Sequence, residues 1–352
     1  MNDSTGLRFD GRVAIVTGAG RGLGRAHALL LAERGAKVVV NDLGGSKEGE
    51  GSDGGPADDV VQEIRAAGGE AVADTHNVGL EDDCHSLVAT AVREFGRIDI
   101  VVNNAGISRW ATFPEADADN LERTLDVHLR GTWHTTRAAW PHMEKQGYGR
   151  VVTTTSTGML GLPDNLAYAT AKGALIGFTR SLAVAAAPKG ILVNCIAPNA
   201  VTRPSLSAKK PNIVSATQAD PALLQAMETG LVSPMVAFLA HESCPVNGEI
   251  LVAGAKRFSR WFLGMTPGWL SDGEPAIEDV VEHWDEVNDQ DGYYVPASLN
   301  DWSSKFMSHL ARFEAYADAQ EDLLTNQASH KLSAAPCQSP RDRRFRTAPR
   351  RQ

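Results

Sequence analysis

Val13-Ala14-Ile15-Val16 runs straight into Thr17-Gly18-Ala19-Gly20-Arg21-Gly22-Leu23-Gly24, and a stretch rich in Ala and Leu follows. Strand, glycine turn and helix in that order build a phosphate cradle. Glycines let the backbone approach a pyrophosphate, and the unpaired N–H groups at the helix start supply donors in a favourable dipole. Alone, a G-x-x-x-G-x-G turn says little. Far downstream, however, lies Tyr168-Ala169-Thr170-Ala171-Lys172, with hydroxyl residues filling positions 153 to 157 before it. A dinucleotide site, a Tyr–Lys pair and a nearby hydroxyl donor together point to redox chemistry at a carbinol or carbonyl.

Outward from the glycine turn, apolar runs alternate with helical patterns. Strands are expected near 12–17, 36–41, 70–75, 98–103, 149–155, 191–196 and 249–253. Helices are expected near 22–34, 57–67, 80–95, 117–146, 166–187 and 229–240. Continuous apolar strands between helices make a parallel sheet covered on both faces. Such sheets bind ligands beyond the carboxyl ends of their strands, and every motif above falls at such an end.

With Asn77-Val78, Asn103-Asn104-Ala105-Gly106 and Ile196-Ala197-Pro198-Asn199 added, the chain resembles the short-chain dehydrogenase/reductase family over about residues 8 to 255. The resemblance implies a doubly wound, Rossmann-like α/β fold of about seven strands. Finer words, V-V-V-N-D-L-G-G, H-L-R-G, T-R-A-A-W, I-A-P-N-A and H-E-S-C, resemble the (3R)-hydroxyacyl-CoA dehydrogenase domain of peroxisomal multifunctional enzymes of type 2. The function so implied is NAD-dependent interconversion of a secondary hydroxyl and a ketone on a 3-hydroxyacyl-CoA, with a bulky or steroid-derived acyl group within its range. A free hydroxysteroid or cyclic alcohol is the alternative. A non-catalytic binding module would show damage at Tyr168, Lys172 or the glycine turn, and none is present.

Hydride reaches or leaves a carbinol carbon only if the hydroxyl proton moves too. A tyrosine with a pKa of about 10 is a poor base at neutral pH. A lysine four residues on shares its helix face, and its charge, with that of an oxidised nicotinamide, favours the phenolate. Tyr168 is thus the expected acid–base group, and Lys172 its partner and a holder of the nicotinamide ribose. The third group steadies the substrate oxygen. Counting back thirteen residues from Tyr168, the family's usual spacing, gives Thr155, whereas counting along the strand from Arg150 gives Ser156. Ser156 is favoured, because a turn absorbs a deletion that would flip side chains within a strand. His128, in D-V-H-L-R-G, stands where many family members have Asn supporting a water beside the lysine. Its two ring nitrogens can replace the amide, or it is a structural histidine.

For the cofactor, Asp42 follows the second strand, where a carboxylate accepts both adenosine ribose hydroxyls and repels a 2′-phosphate, selecting NAD. Arg21 is a mild counter-signal. Gly18, Gly22, Leu23 and Gly24 belong to the cradle. Family position implies that Asn77 and Val78 flank the adenine. It also places Asn104, Ala105 and Gly106 on the path to the nicotinamide ribose. Pro198, Ala200, Val201 and Thr202 would approach the carboxamide.

A net charge of −9 argues against a general nucleic-acid binder. No apolar run approaches the roughly 20 residues of a membrane span. Four scattered cysteines, 84, 195, 244 and 337, fit neither a disulfide scaffold nor a metal site. The opening Met-Asn-Asp-Ser-Thr-Gly lacks signal-peptide character and the closing Arg-Arg-Gln is not a peroxisomal signal, so a cytoplasmic protein is expected. The helix at 166–187 is apolar nearly all round and must be buried. In similar proteins it pairs with the 117–146 helix across a two-fold interface, which implies a homodimer or homotetramer. Residues 43 to 56, rich in Gly and charge, read as a mobile surface loop: a tolerated insertion, or a closure over the cofactor's adenosine end. A helical extension is expected over 256–330, opening with Phe258, Trp261, Phe262, Met265 and Trp269 as packing residues or a substrate wall. A disordered tail over 331–352 carries seven Lys/Arg against one acid. Arg203, Lys209 and Lys210 belong to a solvated loop or meet CoA phosphates.

Overall fold

The computed structural model describes residues 6–202 and 220–310. Seven parallel strands and their helices alternate: β1 Val13–Thr17, α1 Gly22–Glu33, β2 Lys37–Asn41, α2 Gly55–Ala66, β3 Ala71–Asp74, α3 Glu81–Phe95 and β4 Ile100–Asn103. Then follow α4 Ala118–Leu125, α5 Gly131–Gln146, β5 Gly149–Thr154, α6 Leu166–Ala186, β6 Ile191–Asn199, α7 Pro221–Ala226, α8 Ser233–Ala240 and β7 Ile250–Gly254. An eighth strand, β8 Arg257–Trp261, runs antiparallel to β7. The sheet order is β3-β2-β1-β4-β5-β6-β7-β8.

Alternate residues of each strand serve opposite layers, as the strand period of two requires. Ala14 and Val16 pack with Leu31 of α1, Ile64 of α2 and Leu239 of α8. Val13 and Ile15 pack with Leu87 of α3, Met143 of α5 and Ala183 of α6 on the other side. Burial on both faces is why these strands read as unbroken apolar runs. Each fully buried Leu or Ile contributes roughly 1.5–3 kcal/mol, and Leu31→Ala would cost about 2–5 kcal/mol. Chain order reverses at β1, which pairs with β2 on one side and β4 on the other. That crevice, at the ends of Thr17 and Asn103, positions the site.

Two departures from the sequence reading matter. The helix expected over 117–146 is interrupted: α4, capped by the Asp117 carboxylate on Asn120 N, meets a π turn over Asp126–Arg130 before α5 begins. The extra residue of a π turn re-aims the side chain it carries, here His128. The second departure is β8, in a stretch read as the start of the helical extension. Accordingly the described residues divide into two compact units between Phe262 and Leu263, beyond the residue 255 that the sequence suggested. In the second unit the backbones of Met265 and Tyr294 exchange hydrogen bonds at 2.9 Å, and Trp269 stacks on His283. Its helices are α9 Ile277–Glu282, α10 Trp284–Asn288 and α11 Leu299–Phe306. The expected basic tail lies outside the described residues.

Candidate active site

A cleft of about 510 Å³ opens at the carboxyl ends of β1, β4, β5 and β6. Its floor is the glycine turn. Gly18 and Gly22 hold positive φ angles of 63° and 56°, which only glycine adopts freely. A Cβ on Gly18 would lie 2.8 Å from Ala105 Cα, whereas one on Gly22 would meet nothing within 4 Å. One glycine therefore permits close packing and the other leaves the face open. Arg21 precedes α1 without capping it by its side chain, so the first-turn N–H groups stay available to an anion. Asp42 anchors the turn: one carboxylate oxygen accepts from Gly20 N at 2.8 Å, the other from Gly44 N at 2.7 Å. The free first-turn N–H groups and the open face at Gly22 fit the pyrophosphate of a dinucleotide.

Tyr168, Lys172, Thr155 and Ser156 line the same cleft. Lys172 Nζ donates to the Thr154 carbonyl at 2.6 Å and lies 5.7 Å from the Tyr168 ring centre. Burial lowers the lysine pKa from 10.5 to about 8, with Cys195 opposing. Tyr168 moves the other way. Burial pushes its phenol up, and a hydrogen bond from Ser156 pulls it partly back. In the protein by itself burial thus outweighs the lowering that sequence reasoning expected from Lys172. The two hydroxyls are differently engaged. Thr155 is buried and donates to the Lys172 carbonyl at 2.6 Å. Ser156, less buried, accepts from Gly158 N at 3.0 Å and reaches Tyr168.

His128 sits edge-on to Tyr168, ring centres 5.3 Å apart. Its Nε2 meets the backbone of Ile107, 2.8 Å from the carbonyl and 3.1 Å from the N–H. Its Nδ1 is buried with no partner. Burial and the Lys172 charge hold its pKa well below the usual histidine range, so the ring is neutral.

The 43–56 segment is more than a surface loop. Leu43, Ser46, Lys47 and Gly49 line the cleft, and the Lys47 carbonyl accepts from Ser108 N at 2.8 Å. Glu50 pairs with Arg109 and Arg123, each at 3.1 Å, and both arginines also grip Asp119. Contacts some sixty residues away in the chain order it, and local composition carries no trace of them.

Gly22, Leu23, Asn77, Val78, Asn104, Ala105, Gly106, Pro198, Ala200 and Thr202 line the cleft, as does Arg21. Gly24 and Val201 are not among the lining residues. Gly24 packs on the Gly18 carbonyl and the Asn104 amide, where a side chain would clash. Val201 instead donates its N–H to Met227 O. Phe258 and Trp261 do not line it either: Trp261 packs behind α6, against Ile176, Cys195 and Ile250. Arg203, Lys209 and Lys210 fall outside the described residues. Sequence reasoning missed Ser108, Trp110, Leu162 and Asn165, which lie between motifs and share no spacing with them. Among the described residues, no group of three His, Cys, Asp or Glu could hold a metal, and no helix is long and apolar enough to cross a membrane.

The family model for short chain dehydrogenases matches residues 12–212. The chain belongs to the short-chain dehydrogenase family. It is an oxidoreductase acting on CH–OH donors. A short-chain type dehydrogenase/reductase of Mycobacterium tuberculosis is 42% identical over 80% of this chain and 95% of its own length. Peroxisomal multifunctional enzyme type 2 of Drosophila melanogaster is 40% identical over 92% of this chain, which spans only 53% of that protein. The full-length structure of that enzyme matches with a TM-score of 0.71 and 34% identity over 87% of this chain and 50% of that one. A 7α-hydroxysteroid dehydrogenase solved with NADH and a 7-oxo bile acid matches with a TM-score of 0.64 and 30% identity, over 72% of this chain and 97% of that one.

Proposed function

We propose that this short-chain dehydrogenase uses NAD to interconvert a 3-hydroxyacyl-CoA and its 3-ketone. The observation that carries the reading is Tyr168, Lys172 and Ser156 gathered beside a glycine cradle whose rim holds Asp42. When bound, NAD accepts or returns the hydride, and its positive nicotinamide favours the phenolate. Tyr168 takes the carbinol proton, and returns it in the reverse direction. Ser156 donates a hydrogen bond to the substrate oxygen as charge develops. Lys172 holds the ribose and biases Tyr168 towards ionisation. Thr155 pins the backbone that carries the lysine, and His128 fixes Ile107 while leaving Nδ1 for a water. Asp42 favours NAD over NADP, because its carboxylate would face a 2′-phosphate.

The acyl-CoA assignment rests on the subgroup words of the sequence and on the likeness to multifunctional enzymes of type 2. The 7α-hydroxysteroid dehydrogenase neighbour supports the second reading, a free steroid or cyclic alcohol. Assembly as a homodimer or homotetramer through α5 and α6 is supported by Trp133, Leu166 and Val184, which stand exposed on those helices. A reducing, cytoplasmic setting suits the buried free thiols of Cys84, Cys195 and Cys244. The test is NAD reduction screened across 3-hydroxyacyl-CoAs, hydroxysteroids and cyclic alcohols, with Tyr168→Phe as the control. Thioester oxidation should lead, and the control should lose about two to four orders of magnitude in turnover. A lead for steroids or cyclic alcohols would sink the acyl-CoA reading.

A further inference from the structure

The cleft that Tyr168 lines also holds polar atoms that the protein leaves unmatched. Asn165 is 2% exposed and Ser108 4%, and both line the cleft. Asn165 Nδ2 donates to Ser108 Oγ at 3.2 Å, and Asn165 Oδ1 has no partner. Trp110, two residues from Ser108, also lines the cleft with its Nε1 buried and unpartnered. Buried polar side chains ordinarily find partners, so such a cluster marks a place where a ligand supplies them. The backbone holds the cluster firmly. Ala111 bridges to Asn165, Ala169 N donates to the Asn165 carbonyl, and Ser108 N donates to Lys47 O.

We propose that Ser108 and Asn165, with Trp110, form a carbonyl subsite that reads the second oxygen of the substrate. Because Asn165 Nδ2 occupies a lone pair of Ser108 Oγ, the serine proton is left to donate. With the amide turned over, Ser108 would donate to Oδ1 and the Asn165 NH₂ would be left instead. Only the second arrangement orphans no acceptor: it leaves the Asn165 NH₂ to donate to a substrate oxygen, and Trp110 Nε1 is a further donor. Asn165 is the residue from which α6 starts, three before Tyr168. Ile107, adjoining Ser108, holds the histidine that packs on Tyr168. The subsite therefore shares one cleft with the group that handles the carbinol, and a 3-hydroxyacyl thioester carries a second oxygen, its C1 carbonyl, two carbons from that carbinol. A simple secondary alcohol has no acceptor there and would leave the donors dry, which is the arrangement that gives strong discrimination. This assignment rests on the acyl-thioester reading above.

The experiment compares a 3-hydroxybutyryl thioester with 2-pentanol in wild type, Ser108→Ala, Asn165→Leu and the conservative Ser108→Thr. In the first two variants the thioester-to-alcohol ratio of kcat/KM should fall at least tenfold, about 1.4 kcal/mol, mainly through KM. Ser108→Thr keeps the hydroxyl and should keep the ratio. Melting temperature and NAD affinity, measured on each variant, identify any that fails to fold, and Ser108→Ala removes a single buried atom. Equal losses on both substrates, or an unchanged ratio, would overturn the subsite. If wild type prefers the thioester and both variants retain that preference, the subsite alone fails. If wild type treats the two alike, the acyl-thioester reading fails with it.

Discussion

Replacing Lys172 by Met keeps most of the side chain's length and removes a charge that the fold buries. The ammonium donates to the Thr154 carbonyl, and burial brings its pKa from 10.5 to about 8. At 1.36 kcal/mol per pH unit, keeping it charged at neutral pH costs the native state roughly 3 kcal/mol. Losing the donor from a buried carbonyl returns about 1–2 kcal/mol of that. The variant should therefore be more stable at pH 7 by about 1–2 kcal/mol, or roughly 2–8 °C in Tm, while turnover collapses. The pH dependence gives a second reading. Between pH 8 and 10.5 the unfolded chain keeps a proton that the native lysine has lost, so the lysine's contribution to wild-type stability climbs with pH. From pH 7 to 9.5 that contribution grows by about 2 kcal/mol, while the buried thiols of Cys84, Cys195 and Cys244, all pushed above their ordinary values by burial, lower the stability of both proteins over the upper part of the range, so the lysine's part is read from the difference between the two. Urea unfolding midpoints of both proteins at pH 7 and 9.5, at one protein concentration, measure all of this. A variant less stable than wild type at pH 7, or a stability gap that does not move in the wild type's favour between pH 7 and 9.5, would refute the reasoning.

Four further outcomes are expected. Ser156→Ala should lower kcat far more than Thr155→Val, whereas Thr155→Val should lower stability more, by about 1–3 kcal/mol; kinetics and melting curves of the pair decide it. Asp42→Ser should raise the use of NADP relative to NAD at least tenfold, about 1.4 kcal/mol, and a wild type that already prefers NADP would void the assignment. The β7–β8 turn puts Ala255 and Lys256 at φ 50° and 60°, so the double change Ala255→Asn, Lys256→Gly should relieve strain. A gain of about 1 kcal/mol, visible as roughly 2–4 °C in Tm, is expected. Light scattering at micromolar concentration should show a dimer or tetramer, and Trp133→Glu should shift it towards monomer.

The parallel strands were legible because burial on both faces leaves no polar interruption to misread. β8 was not. Only Trp261 of its five residues is withdrawn from solvent, so Arg257-Phe258-Ser259-Arg260-Trp261 has neither alternation nor a continuous apolar run. Its one signal was conformational, a tight turn after Gly254. The π turn escaped because one inserted residue barely disturbs a helical period. Thr155 and Ser156 could not be told apart by counting, since both spacings are sound. What separates them is the Lys172 carbonyl, a contact seventeen residues along the chain. Asp42, Tyr168 and Lys172 stood out because their chemistry demands particular neighbours at particular distances in sequence. Ser108 and Asn165 depend on each other across fifty-seven positions, which no local pattern records.

The sheet's two outer borders bear on how copies of this protein can meet. An open strand is a template for pairing with another chain, and long apolar borders invite aggregation. At one margin β3 has only four residues, and Arg65 reaches over to donate two hydrogen bonds to the Ala71 carbonyl, occupying an acceptor that a foreign strand would need. At the other margin β8 carries Arg257 and Arg260, the latter clamped to Glu249 by two contacts of 2.5 and 2.8 Å. Strand addition at either end would bring like charges together or break an existing bond. Both borders thus disfavour the edge-to-edge pairing by which a sheet would otherwise grow from one copy to the next.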